Sequence, residues 1–221
     1  MAGKVFSGEQ KLDKPGFKLS FDTQLSLRER DFPWVSRGGK KLAHALQYFS
    51  IDVSGLIAAD IGASTGGFTD VLLSAGAARV YAIDVGYGQI DHKLRCDRRV
   101  ILLERTNARY INKEQVPESL DIIVCDVSFI GLRTLLPASL LLAAPESLLV
   151  TLIKPQFEVG RGRVGKGGII SDSLIHNEVV ESLKGWISIQ DGWDLIGVCE
   201  SPIQGAKGNK EFLMAARYKN S

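Results

Sequence analysis

The sequence predicts an α/β fold on one mostly parallel sheet. Three observations carry that expectation: apolar runs of strand length recur along the chain, helical periodicities fall between most of them, and the first run opens into a glycine-rich turn. The runs lie near 56–61, 79–83, 99–103, 121–125, 147–153, 193–199 and 211–218. A helix over about Ser36 to Phe49 precedes them, and a second near 173–190 separates the fifth run from the sixth. Alternation of this kind puts helices on both faces of the sheet with right-handed crossovers. Ser201 to Asn209 is too short for a helical crossover, so the last two strands are expected to pair antiparallel.

Composition fits one globular domain with a short appendage: 221 residues, 45% hydrophobic and 24% charged, allow a sizeable core. Cys96, Cys125 and Cys199 are isolated and no charged-then-apolar leader opens the chain, which speaks against disulfides and secretion and for a cytoplasmic protein. The most apolar region, Leu135 to Ile153, is interrupted by Pro137, Pro145 and Glu146. A spanning helix would be broken there, so a helix, a turn and a buried strand are expected instead, and no membrane. The formal net charge is +2, yet residues 1–48 carry nine Lys or Arg against five Asp or Glu, and Lys154 to Gly168 carries four against one. Both stretches suit a mildly basic face toward RNA. His44, His92 and His176 are scattered without metal-ligand spacing, so no metal is expected. Ser64 and Ser128 lack a nearby His–acid pair, which argues against hydrolase chemistry.

The first run, Leu56 to Ala59, leads into Asp60-Ile61-Gly62-Ala63-Ser64-Thr65-Gly66-Gly67-Phe68-Thr69-Asp70. Such a strand, glycine turn and helix make a cofactor pocket, in which Gly62, Gly66 and Gly67 let a ligand approach the main chain and the new helix offers unpaired N–H groups. Asp84 ends the next run, Val80 to Ile83, where ribose hydroxyls of an adenosine cofactor would be gripped. The spacing is Gly-x-x-x-Gly-Gly rather than the dinucleotide pattern, and nothing in it demands a phosphate. S-adenosylmethionine, a nucleoside with a charged amino-acid tail, fits better than NAD, with Asp60 available to the ammonium.

Topology also gathers charge. The fourth and fifth parallel strands would end at Asp126 and Lys154, at the carboxyl edge where ligands bind in open α/β sheets. A final antiparallel strand beside the fifth would start at that edge with Glu211. Neighbouring strands lie about 4.8 Å apart, so these three side chains are expected to converge beside the cofactor.

Seven motifs then bear a family resemblance: Trp34-Val35-Ser36-Arg37-Gly38-Gly39-Lys40-Lys41-Leu42, the glycine turn, Asp84-Val85-Gly86-Tyr87-Gly88-Gln89, Glu104-Arg105-Thr106-Asn107, Asp126-Val127-Ser128-Phe129-Ile130, Lys154-Pro155-Gln156-Phe157-Glu158 and Gly208-Asn209-Lys210-Glu211. Together they resemble the TlyA family, haemolysin-named and FtsJ-like. The resemblance implies a class I, Rossmann-like methyltransferase, seven-stranded with an antiparallel last strand, acting on ribosomal RNA or ribosomal subunits at a cytidine 2′-oxygen. It implies a catalytic set of Lys41, Asp126, Lys154 and Glu211. Lys41 enters through it alone; Lys40 competes, but the family's lysine directly precedes the leucine. It further implies adenosine along Asp84 with Asn107 and Asp126 near the base, and Gly62, Ser64, Gly66, Gly67 and Phe68 along the methionine end. Met1 to Val5 with Lys14-Pro15-Gly16 resembles the second half of an S4 RNA-binding domain, so residues 1–33 are expected to be its remnant plus a linker, and 34–221 the methyltransferase domain.

Lys154 is the first choice to meet the 2′-hydroxyl, either as a base, if burial and Lys41 dominate, or as a cation, if Asp126 and Glu211 do. The loop Glu158–Gly168, with Arg161, Arg163 and Lys166 among five glycines, suits RNA phosphates. The alternatives are a membrane-active haemolysin, which lacks an uninterrupted apolar segment, a non-catalytic RNA-binding or ribosome-assembly factor, and a nicotinamide dehydrogenase.

Overall fold

A computed structural model describes residues 5–12, 16, 18–27 and 32–219, and contacts divide the chain into two units, Met1–Pro33 and Trp34–Ser221. In the first unit β1 (Val5–Ser7) pairs antiparallel with both β2 (Gln10–Lys11) and β3 (Ser26–Leu27). Most of the S4-like stretch, Met1 to Lys4 and Lys14-Pro15, lies outside the described residues.

The second unit runs α1 (Gly39–Tyr48), β4 (Ile57–Ile61), α2 (Gly67–Ser74), β5 (Arg79–Ile83), α3 (His92–Arg95), β6 (Val100–Leu103), β7 (Leu120–Cys125), α4 (Leu132–Leu135), α5 (Pro137–Leu140), β8 (Ala143–Ile153), α6 (Pro155–Glu158), α7 (Ser173–Ser188), β9 (Trp193–Glu200) and β10 (Phe212–Tyr218). Its seven strands form one sheet in the order β6-β5-β4-β7-β8-β10-β9. The first five strands in sequence pair parallel, and β10 lies antiparallel between β8 and β9. The α/β expectation, including the antiparallel end, therefore holds.

Period-two alternation divides each central strand between two apolar clusters. Ile123, Cys125, Leu149, Ile153 and Met214 join Leu136 and the Leu183 and Ile187 side of α7. Ile122, Val124, Val150, Leu152 and Leu213 join Leu42 and Leu46 of α1 and Phe68 and Leu72 of α2. Parallel strands buried on both faces read as continuous apolar runs, which is why they stood out in the sequence.

Two boundaries differ from expectation by more than two residues. Helix α1 begins at Gly39 rather than Ser36, because the residues before it pack on neighbouring glycines: a Cβ on Gly39 would lie 2.9 Å from Trp34, and one on Gly67 would overlap Ser36 Oγ. Strand β8 begins at Ala143 rather than near 147, through an exposed start containing Pro145 and a left-handed Glu146 (φ 62°) where its register with β7 shifts. An irregular strand end tolerates the proline that a paired interior would not.

Candidate active site

The sheet order reverses between β4 and β7, and the carboxyl ends of those strands meet where open α/β sheets carry their ligands. Gly62 follows β4 with φ +82°, and Asp126 follows β7, its N–H donating to Ile61 O at 3.1 Å. A Cβ on Gly62 would sit 2.7 Å from the Asp126 carbonyl oxygen, and one on Gly66 (φ +94°) would overlap Leu94. The space a Cβ would take at these two positions is filled by protein, so these glycines also permit close packing of the turn against β7 and α3.

The carboxylates flanking the turn brace it. Asp84, directly after β5, accepts from Ser64 N at 2.8 Å and Gly86 N at 2.7 Å. Ser64 itself is held at φ 50°, a left-handed conformation that this bond supports. Asp60 is fully buried in β4; its Oδ2 accepts from both Thr69 N (2.9 Å) and Thr69 Oγ1 (2.7 Å), satisfying an amide of the first turn of α2. Its Oδ1 has no partner. Burial pushes the Asp60 carboxyl up to about 7, against the two Thr69 bonds that pull it down. Asn107 follows β6 and caps a short 3-10 turn, its Oδ1 accepting from Arg109 N at 3.1 Å.

On the other side of the switch the charges meet one another. Register places Phe212 opposite Ile153, so Glu211 and Lys154 emerge side by side. Lys154 Nζ lies 2.5 Å from Asp126 Oδ1 and donates to Ser128 Oγ at 3.2 Å. Lys41, buried on the first turn of α1, reaches Glu211 Oε2 at 2.7 Å and Asp126 Oδ2 at 3.3 Å. Its packed neighbours Leu42 and Ala45 hold that face of α1 against the sheet. Burial drives the Asp126 carboxyl upward, but the ammonium groups of Lys154 and Lys41 outweigh it and hold the group below the ordinary carboxylate range. The four residues form a chain, Glu211–Lys41–Asp126–Lys154, in which each inner member has two oppositely charged partners.

A cavity of about 510 Å³ joins this chain to the turn. Lys41, Asp126, Lys154 and Glu211 line it, as do Gly62, Ser64, Gly67 and Phe68. Asp60, Gly66, Asp84 and Asn107 do not: Asp60 lies buried within β4, Gly66 caps α2, and Asp84 and Asn107 follow the ends of β5 and β6. Sequence reasoning gave no role to Ser128, Phe129, Phe157, Lys207 or Asn209, all in the lining, although each sits within a few residues of a predicted site residue. Phe129 is 88% exposed in a left-handed conformation (φ 70°), its ring 5.1 Å from that of Phe157. Of the basic loop, Arg163 is engaged by Glu178 through two bonds of 2.6 and 2.7 Å, while Gly167 and Gly168 reach the cavity. Among the described residues no group of three His, Cys, Asp or Glu is arranged to hold a metal ion, and no helix is long and apolar enough to cross a membrane.

Comparison with known proteins bears on the same region. Residues 34–218 match the model of the FtsJ-like methyltransferase family. The 16S/23S rRNA (cytidine-2'-O)-methyltransferase TlyA of Mycobacterium tuberculosis is 45% identical over 217 residues, an alignment covering 98% of this chain and 81% of the relative. A solved structure from Streptococcus thermophilus, provisionally named a hemolysin, superposes with a TM-score of 0.85 at 42% identity, covering 100% of this chain and 81% of that one. An S-adenosylmethionine dependent methyltransferase from Mesorhizobium loti shares the fold at a TM-score of 0.57 and 15% identity, with 79% of this chain and 96% of that chain covered. The chain belongs to the FtsJ-like methyltransferase family.

Proposed function

We propose that this protein transfers a methyl group from S-adenosylmethionine to the ribose 2′-oxygen of a cytidine in ribosomal RNA. The observation that carries the proposal is the ion-paired chain of Lys41, Asp126, Lys154 and Glu211, in one cavity with the turn at Gly62. A cofactor of this chemistry fits the residues present. Asp84 keeps lone pairs for ribose hydroxyls beyond those used by Ser64 and Gly86, and Asp60 Oδ1, buried two residues before the cavity-lining Gly62, is an acceptor without a protein partner that an ammonium reaching past the turn would satisfy. Gly62, Ser64, Gly67 and Phe68 would line the methionine end, with Gly66 shaping the turn behind them and Asn107 and Asp126 beside the base.

S-adenosylmethionine, when bound, supplies an activated methyl on a sulfonium, so the protein's part is alignment and charge. Lys154 carries the contact with the 2′-hydroxyl. Two of its three ammonium donors point at Asp126 and Ser128, and the third is left for the ribose oxygen. With carboxylate 2.5 Å away, Lys154 acts as a cation that stabilises negative charge developing on that oxygen, and the hydroxyl proton leaves to solvent. Asp126 orients Lys154, and Lys41 with Glu211 fixes Asp126. The exposed Phe129 ring beside Phe157 offers an apolar face to an unstacked base.

The test is transfer of labelled methyl to ribosomal RNA, followed by mapping of the modified nucleotide. Label on a ribose 2′-oxygen is the expected result, and label on a base or none at all overturns the proposal. The pH profile separates the two roles of Lys154: a cation gives a rate that is flat around neutrality, a base one that climbs tenfold per pH unit. A lytic activity is suggested by the hemolysin name of one relative. Lysis that survives Lys154→Ala would favour it.

A further inference from the structure

The Gly208-Asn209-Lys210-Glu211 motif holds a residue to which the reaction assigns no role. Asn209 is buried, 4% exposed, two positions before Glu211. Its carboxamide is fully engaged. Nδ2 donates to Gly168 O at 2.9 Å and to Ala206 O at 3.2 Å, and Oδ1 accepts from Ile170 N at 3.0 Å. An asparagine amide has two donors and one carbonyl acceptor, and here all are met by backbone. One partner, Gly168, ends the basic loop that begins at Glu158, Ile170 lies two residues beyond it, and Ala206 belongs to the turn leading into β10.

The surroundings reinforce this connection. Ile170, itself buried, has its carbonyl oxygen 3.0 Å from His176 Nε2, and the His176 ring lies 5.9 Å from that of Phe212, the residue after Glu211. Lys207 Nζ donates to Gly167 O at 2.6 Å from the exposed side. Gly205 N donates to Asn209 O at 2.9 Å, closing the turn, and Ser201 N donates to Glu211 O at 2.9 Å. Gly205 has an ordinary negative φ of −72°, yet a Cβ there would overlap the Glu211 carboxylate. Glycine at this position therefore leaves room for the carboxylate in its bond to Lys41.

We propose that Asn209 is a positioning residue which joins the end of the basic loop to the segment entering β10 at Glu211, so that the loop and the buried carboxylate are set as one unit. The inference rests on the methyltransferase reading for its kinetic consequence and on geometry alone for the coupling. Its test uses the full chain with Asn209→Ala and Asn209→Asp, the latter keeping the acceptor for Ile170 N while losing both donated bonds. In Asn209→Ala, amide exchange in a peptide covering 165–171 is expected to rise at least tenfold while strands β4 and β7 keep their protection. The KM for ribosomal RNA is expected to rise about tenfold, with S-adenosylmethionine affinity unchanged within twofold. Asn209→Asp is expected to fall between Asn209→Ala and wild type in both readouts. Unchanged exchange at 165–171 in either variant overturns the coupling, as does faster exchange with wild-type KM. A uniform rise in exchange across the sheet, with kcat, KM and cofactor affinity all impaired, also overturns it, because that pattern marks general destabilisation. If wild-type protein transfers no methyl, the methyltransferase reading falls, and exchange alone then decides the coupling.

Discussion

The two halves of the sheet's carboxyl edge hold their charges differently. On the turn side, Asp84 and Asp60 are met by neutral backbone and hydroxyl groups: Asp84 by Ser64 N and Gly86 N, Asp60 by Thr69. Across the switch point, Asp126 and Glu211 are met by the ammonium groups of Lys41 and Lys154. Backbone donors are fixed by the fold and stay in place when a side chain changes. Ion-paired side chains from distant segments hold one another, and removing one leaves a buried charge uncompensated. The turn side is thus held by the fold, and the charged side by ion pairs that depend on every member.

The sharpest way to break this comparison is Lys154→Ala. Transfer is expected to fall by about 10²- to 10³-fold, the scale of losing one charge-stabilising group, while calorimetry finds S-adenosylmethionine affinity nearly unchanged. A matching loss of cofactor affinity would move Lys154 to the turn side. Next in size is Glu211→Gln, which leaves buried Lys41 with Asp126 alone, 3.3 Å away and shared with Lys154. Urea unfolding is expected to show a loss of about 3 kcal/mol. A change below about 1 kcal/mol would mean that Glu211 is no structural member of the ion-paired chain.

The same contrast decides what the sequence could reveal. Strands β4, β5, β7 and β8 were legible because burial on both faces writes continuous apolar runs, and their parallel order put Asp126 and Lys154 at one edge without further information. Glu211 followed from the short Ser201–Asn209 connection. Lys41 did not follow, because it comes from a helix outside the strand alternation, and only resemblance brought it to the site. The glycine turn was visible, but its packing was not: the atoms filling the Cβ space of Gly62 and Gly66 come from Asp126 and Leu94, which no local pattern announces. Asn209 escaped for a related reason, since its partners Gly168 and Ile170 lie 41 and 39 residues away.

On the turn side, Asp84→Ala frees two amides that hold the backbone at Ser64 and Gly86. Cofactor affinity is expected to weaken by about 2 kcal/mol, roughly thirtyfold, with the transfer rate largely restored at saturating S-adenosylmethionine. An irrecoverable rate would show that the turn also positions the reacting groups.

Protonation sharpens the comparison further, because buried carboxyls on the two sides shift in opposite directions. Asp126 is held below its ordinary 3.8, so its contribution to stability is present above that pH and is lost as pH falls through the lower folded value. Asp60 is raised to about 7, so between roughly pH 4 and 7 the folded state binds more protons than the unfolded, and stability declines as pH rises across that window. Asp60→Asn is expected to flatten this decline and to gain about 1 kcal/mol at pH 8, a net reduced by the unpartnered amide group left beside Thr69. An unaltered slope in urea unfolding between pH 4 and 7 would place the titrating group elsewhere.

The smallest expected effect tests whether the charged side also stores strain. Phe129 holds a bulky side chain at φ 70°, a conformation that costs on the order of 1 kcal/mol and that glycine adopts freely. Phe129→Gly removes that strain but adds backbone freedom to the unfolded chain and loses the contact with Phe157, so stability is expected to change by less than about 1 kcal/mol. The RNA term is expected to move more than the stability term, with KM rising several-fold as the exposed ring is lost and cofactor affinity holding. If instead KM stays put and the protein becomes more stable, the left-handed Phe129 is strain without function, and the apolar face offered to the base must be Phe157 alone.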